Sequence, residues 1–422
     1  MIFIFEMVLL ILILYEYNTR KTMVTPICLL GSIYLIAMPT IYVLHTFMDI
    51  YTPTDFNLFM TLTFFVFVFI IGRAESVLYL GKRQNDLARY QAKILTHVGV
   101  IFFIFLIGLV FKGISFLQVL RLRGLGNMKR GEFGIFANLG YLAEITSPYV
   151  FHIGIKKRKV TCFVLIGIEL LILVLFEVKG SLLLVVLQMV LFHFMMEKKV
   201  SIGKTARKAI GLGFLAIAAF IVIYAYIPTF FGNSSGKGII EKAFQEFVHY
   251  LFSPFICANG FFKLPAGNKY EEGYRVILNP FIALYERFIG QGNYPDIVIH
   301  EWPDMSQARG ANVGGVFSES VYQIGYEYAF VYIGFIALII YVFFNRYYYS
   351  GKTINGVAAL LSRWVLCFFG NYFAPTTAFQ VLIYCFILDY VLMLIPAVQR
   401  RRIQSIRFTR KKHKDEEASI PL

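Results

Sequence analysis

The chain has 422 residues, a formal net charge of +15 at pH 7, 58% hydrophobic side chains and only 15% charged ones. Soluble domains sit at roughly 45–50% apolar and about 25% charged, so this length fits one polytopic membrane domain better than two or three soluble ones. The basic balance does not point to nucleic acid, because the cations fall in short clusters between apolar runs, the pattern of cytoplasmic loops under the positive-inside rule.

A bilayer core of about 30 Å takes about 20 mainly apolar residues per helix. On that template the chain predicts eleven spans: residues 2–17, 24–45, 56–71, 94–111, 135–155, 160–176, 181–196, 209–227, 322–344, 357–372 and 379–395. No Arg/Lys-rich stretch precedes the first apolar run and no small-residue cleavage site follows it, so a retained helix is expected. Alternation puts the clusters at Arg20, Lys82, Lys156, Lys198, Arg346 and Arg400 on one side, which the rule makes cytoplasmic. The N-terminus then lies outside and the C-terminus inside. The expected fold is all-α: a polytopic integral membrane protein of about eleven transmembrane helices with a large extracytoplasmic loop that contains amphipathic helices. Residues 1–228 supply eight spans, 229–320 the loop, 321–398 three spans and 399–422 a basic cytoplasmic tail.

The long polar loop is the most distinctive part. Residues 239–255 and 275–288 read as amphipathic helices; in the first, Ile240, Phe244, Phe247, Tyr250 and Leu251 share a face. Such a helix either lies on the membrane surface over a cavity or packs on the bundle. His300, Glu301 and Asp304 are acid/base candidates there, the alternative being a solvated turn before Pro303. Trp302 and Tyr294 offer rings for a sugar or for the interface. Arg309, Asn312 and Glu319 stand where the loop re-enters the membrane, as functional groups or as helix caps.

A second polar loop, residues 120–134, carries Arg121, Arg123, Lys129 and Arg130 among Gly124, Gly126, Gly131 and Gly134. It falls on the outer side, against the charge rule. Guanidinium groups on a glycine-rich loop suit bidentate binding of phosphate oxygens, the alternative being lipid headgroup contact. Lys179, at the tip of the sixth–seventh hairpin, adds a cation at the same depth. Within the spans, Arg363 and Asp389 read as a structural ion pair, while Glu144 and Glu169 have no evident partner. The five cysteines are scattered, without disulfide or metal spacing, and neither a phosphate loop nor a nucleophile elbow occurs; no cofactor and no metal are expected.

This layout resembles the Wzy-type polymerases, which join lipid-linked oligosaccharide repeat units into O-antigen or capsular polysaccharide. The run from Arg123 to Gly134 fits the Arg-x10-Gly pattern of that family's outer loops, and residues 312–338, with Gly325 leading into a Gly/Phe/Ile-rich helix, resemble its re-entry region. The long loop carries no second Arg-x10-Gly. The resemblance implies a glycosyltransferase on the outer face of a bacterial cytoplasmic membrane, acting on undecaprenyl-diphosphate-linked oligosaccharide. Membrane lipid, a chain-length regulator and a flippase are the other implied partners, with no nucleic acid. Arg123, Arg309, His300 and Glu319 become the catalytic candidates; Arg121, Arg130, Lys179 and Asn312 become the diphosphate-binding candidates. A lipid-linked oligosaccharide flippase and an O-antigen ligase are the alternative readings; a flippase would show charged residues lining its spans and internal symmetry.

Overall fold

The computed structural model describes residues 1–79, 94–123, 134–175, 179–197, 239–263, 281–282, 285, 313–373 and 376–394. Among these, all regular structure is helical: α1 (Ile2–Arg20), α2 (Pro26–Leu44), α3 (Asp55–Val77), α4 (Val98–Arg123), α5 (Gly134–Lys157), α6 (Val160–Leu175), α7 (Lys179–Met196), α8 (Ile239–Phe261), α9 (Val316–Ser350), α10 (Ile354–Leu366) and α11 (Thr376–Leu394). Among the described residues five stretches are long and apolar enough to cross a membrane: α1, α2, α3, Val98–Gln118 and α9; shorter apolar helices accompany them. The expected span at 209–227 and the amphipathic segment at 275–288 lie outside the described residues, apart from the fragments at 281–282 and 285.

Local chemistry sets the helix starts. Thr25 caps α2 by accepting the Cys28 N–H at 3.2 Å, with Pro26 at the first helical position where no N–H is needed. Thr54 does the same for α3 through the Asn57 N–H at 3.3 Å.

The helices pack in two groups. One holds α1, α2, α3, α8 and α9; the other holds α4, α5, α6, α7 and α11. Between them stands α10, which touches α2, α7, α9 and α11 and buries every one of its residues. α4 and α5 form an antiparallel hairpin with almost no gap: a Cβ on Gly108 would sit 2.1 Å from the Ala143 nitrogen. Small residues let membrane helices approach in this way.

Three expectations need correcting. The fourth span does not stop at residue 111: the apolar pattern carries the helix on through Lys112 to Arg123, so Arg121 and Arg123 end a helix instead of opening a loop. The tenth span ends at Leu366, because the chain then turns, Phe369 N–H bonding to Leu366 O at 2.8 Å. α10 is thus about 20 Å long and reaches only part of the way through a bilayer. The helix expected at 239–255 extends to Phe261, and of its two readings the C-terminal half takes packing on the bundle, with Phe252, Phe255, Ile256, Cys257 and Phe261 buried. Asn259 fixes it by accepting from Thr54 N–H and Asn57 Nδ2 at 2.8 and 2.9 Å, and by donating to Thr52 O at 2.8 Å.

Two ends of the bundle follow from cross-contacts. Arg20 donates to Ser76, Tyr348 hydroxyl to Arg20 O, and Tyr347 hydroxyl to Met195 O, while Lys156 pairs with Glu197. The ends of α1, α3, α5, α7 and α9 therefore share one end of the bundle, with Arg346 among them, as the charge alternation required. The Met1 amine, 3.7 Å from Asp55, lies at the other.

Candidate functional site

The site forms where two broken helices meet inside the bundle. α9 opens at Val316, whose N–H bonds to Cys367 O at 2.7 Å just beyond the last turn of α10. An orphan donor of one helix thus satisfies a carbonyl beyond the other. Gly325 has φ 76° and ψ 170°, a region only glycine enters freely, and it bends α9 sharply. Phe317 and Phe330 consequently both stack on Phe64, at 5.1 and 4.3 Å, although a straight helix would hold them roughly 20 Å apart. Tyr34, near the middle of α2, packs edge-on against Phe65 and Phe255 beside this junction. The junction therefore lies at mid-depth, not at the bundle surface.

Glu319 closes it. One carboxylate oxygen accepts the Gly314 N–H at 3.2 Å and the other accepts the Asn371 N–H at 3.1 Å, and the side chain is buried. It ties the start of α9 to the turn after α10, across both elements. Asn371 in turn exchanges hydrogen bonds with the Tyr332 hydroxyl at 2.9 and 3.1 Å. Glycine is required at 314, where a Cβ would meet Phe261 at 2.8 Å and Glu319 Cγ at 3.0 Å. Ser320 Oγ is buried at the same place and has no hydrogen-bond partner among the described residues. Such irregular backbone inside a membrane bundle is tolerated only where protein or a polar cavity surrounds it.

Of the sequence candidates, Glu319 alone has a described side chain. Arg121 and Arg123 lie in the last turn of α4, and Lys179 opens α7; only their backbone positions are described. The contacts Gly108–Ala143 and Gly140–Lys112 make α4 and α5 antiparallel, and His152–His193 with Lys156–Glu197 make α5 and α7 parallel. The ends bearing Arg123 and Lys179 thus share the end of the bundle opposite Lys156, the end toward which α10 runs from its start beside the end of α9. His300, Arg309, Asn312 and Arg130 lie outside the described residues.

The sequence left Asn371 and Tyr332 unnoticed, since neither carries a charge nor sits in a motif. It also left Glu144 and Glu169 unpartnered, whereas Lys112 Nζ stands 2.8 Å from the first and 3.6 Å from the second. Cutting the fourth span one residue before Lys112 hid that partner. Arg363 donates to Ala359 O at 2.9 Å, and Asp389 accepts from the Tyr149 hydroxyl and, at 2.8 Å, from Gly356 N–H. Among the described residues no group of three or more His, Cys, Asp or Glu could hold a metal ion.

No family model, no curated protein and no solved structure matches the chain.

Proposed function

We propose that this chain is a membrane glycosyltransferase that polymerises undecaprenyl-diphosphate-linked oligosaccharide repeat units, with eleven spans and its site open to the outer face of a bacterial cytoplasmic membrane. The observation that carries this reading is the buried Glu319 carboxylate at the α9–α10 junction, at the point where the long polar segment joins the bundle. The helix ends bearing Arg123 and Lys179, both at the end of the bundle opposite Lys156, are the cation candidates of this reading.

The chemistry follows from what the transfer requires. The acceptor oxygen forms a new bond to the anomeric carbon of the donor, and the bond from that carbon to the diphosphate oxygen breaks. The electron pair leaves with the lipid diphosphate, whose developing charge Arg123, Arg130, Lys179 and Arg309 offset. The acceptor hydroxyl gives its proton to a base, for which Glu319 and His300 are the candidates. Preorganised backbone donors keep the Glu319 carboxylate in one place throughout.

The test is polymer formed in cells, normalised to the amount of inserted protein. Glu319→Gln keeps the side-chain volume but removes the base, and it should cut polymer by roughly 100-fold, within the usual range for a general base. Arg123→Ala should abolish polymer with the protein level intact. Normal polymer from both variants would leave Glu319 as a helix staple and Arg123 as a lipid contact.

A second reading, a transporter of lipid-linked oligosaccharide, gains one specific support: Lys112, Glu144, Glu169, Arg363 and Asp389 are all buried within the helices. Repeat units trapped on the inner side in cells lacking the protein would favour it.

A further inference from the structure

Away from the α9–α10 junction, three helices bury charges against each other at mid-length. Lys112 of α4 donates to Glu144 Oε1 of α5 at 2.8 Å and stands 3.6 Å from Glu169 Oε1 of α6, beyond hydrogen-bonding distance. Lys112 and Glu144 are 6% and 7% exposed and Glu169 is 0% exposed. One cation thus faces two carboxylates. Widening the circle does not change the balance, because Arg363, in electrostatic reach of Glu144, comes with the Asp389 carboxylate one helix over. A bilayer interior strongly disfavours an uncompensated charge.

The hydrogen bonding points to the same deficit. Among the described residues Glu169 Oε1 has no hydrogen-bond partner, its contact being the longer ion pair to Lys112. Glu169 Oε2 meets the Ser147 hydroxyl, which is also 2.8 Å from Ala143 O. That hydroxyl owns a single hydrogen. If it donates to the Ala143 carbonyl, the contact with Glu169 needs a hydrogen on the carboxyl group.

We infer that the Lys112–Glu144–Glu169 centre is a proton-binding site inside the bundle, its one exchangeable proton lying between Glu169 and Ser147. With that proton, Lys112 and Glu144 form a neutral pair, Glu169 is neutral and donates to Ser147, and the Ser147 hydroxyl donates its hydrogen bond to Ala143 O. A metal ion does not take the proton's place, because the Lys112 ammonium already stands 3.6 Å from Glu169 Oε1. The site stands on its own geometry and does not depend on the glycan reading.

The test is infrared spectroscopy of the purified full-length protein in lipid nanodiscs at neutral pH, with wild type, Glu169→Gln and Glu144→Gln compared. Wild type should show a carboxylic-acid carbonyl band that shifts in D2O and vanishes in Glu169→Gln. Glu169→Gln should keep the wild-type melting midpoint, because a neutral amide replaces a neutral acid and still donates to Ser147. Glu144→Gln should lower the midpoint by leaving Lys112 without its closest partner. Loss of a carboxylate band instead of an acid band in Glu169→Gln would overturn the assignment, as would failure of that variant to fold. A wild-type midpoint that rises in sodium chloride but not in choline chloride, with no such rise in Glu169→Gln, would assign a metal ion and overturn it as well.

Discussion

Glu319 shows how much can hang on one buried side chain. Its two oxygens each satisfy a backbone N–H, one before α9 and one after α10. Leaving a buried donor unsatisfied costs about 1–3 kcal/mol, and Glu319→Ala leaves two. The variant should therefore melt well below wild type in detergent, and an unchanged melting curve would show that the two loops do not rely on this carboxylate. A second test concerns packing. A Cβ on Gly72 would lie 2.3 Å from the Tyr341 ring, and that ring is buried and cannot swing into solvent. Gly72→Ala should lower stability by about 1–3 kcal/mol, the usual cost of overpacking. A partial return of stability in Gly72→Ala combined with Tyr341→Ala, read from the same melting curves, would identify the clash as the cause.

The bend in α9 is the element that makes the junction. A Cβ added at Gly325 would find no atom within 4 Å, so Gly325→Ala meets no steric obstacle and only its backbone conformation is penalised. That conformation costs a non-glycine residue about 1–3 kcal/mol, and straightening the helix avoids the cost by moving Glu319 away from Asn371. Polymer formation should fall while the protein still inserts; a fully active Gly325→Ala would mean the bend is incidental. Most helices were legible from their apolar runs, since a span needs little more than length and hydrophobicity. The first run, residues 2–17, became α1 with one further turn, and the ninth, expected at 322–344, became α9 with six further residues at each end. What composition does not encode is where a buried helix stops. α10 ends at Leu366 because the Cys367 carbonyl meets the α9 N-terminus, a tertiary contact no local pattern announces. Lys112 was missed for a related reason: a lysine reads as a span boundary until its carboxylate partners on other helices are known. Arg121 and Arg123, read from sequence as loop residues, lie at a helix end, and the hydrogen-bonded partners Asn371 and Tyr332 became visible only through distance.

The molecule as a whole makes a claim about sidedness. Arg20, Lys156 and the Tyr347 region share one end of the bundle, and Met1 with Asp55 marks the other. The positive-inside rule predicts that the first end is cytoplasmic, and that prediction is testable. All five native cysteines are buried, which suits single reporter thiols. In intact cells a membrane-impermeant maleimide should label Asp55→Cys and not Lys352→Cys, whose parent side chains are both exposed. Labelling at Lys352→Cys alone would invert the topology and contradict a site on the outer face.

The reading as a polymerase is tested most directly by the gel profile of lipid- and surface-linked glycan from cells lacking this chain, against the same cells complemented with it. A polymerase predicts loss of the long ladder, single repeat units still reaching the outer face, and return of the ladder on complementation. Full-length chains stranded on the lipid carrier would instead indicate a ligase, and repeat units held inside a flippase. An identical profile with and without the chain would contradict the glycan reading altogether.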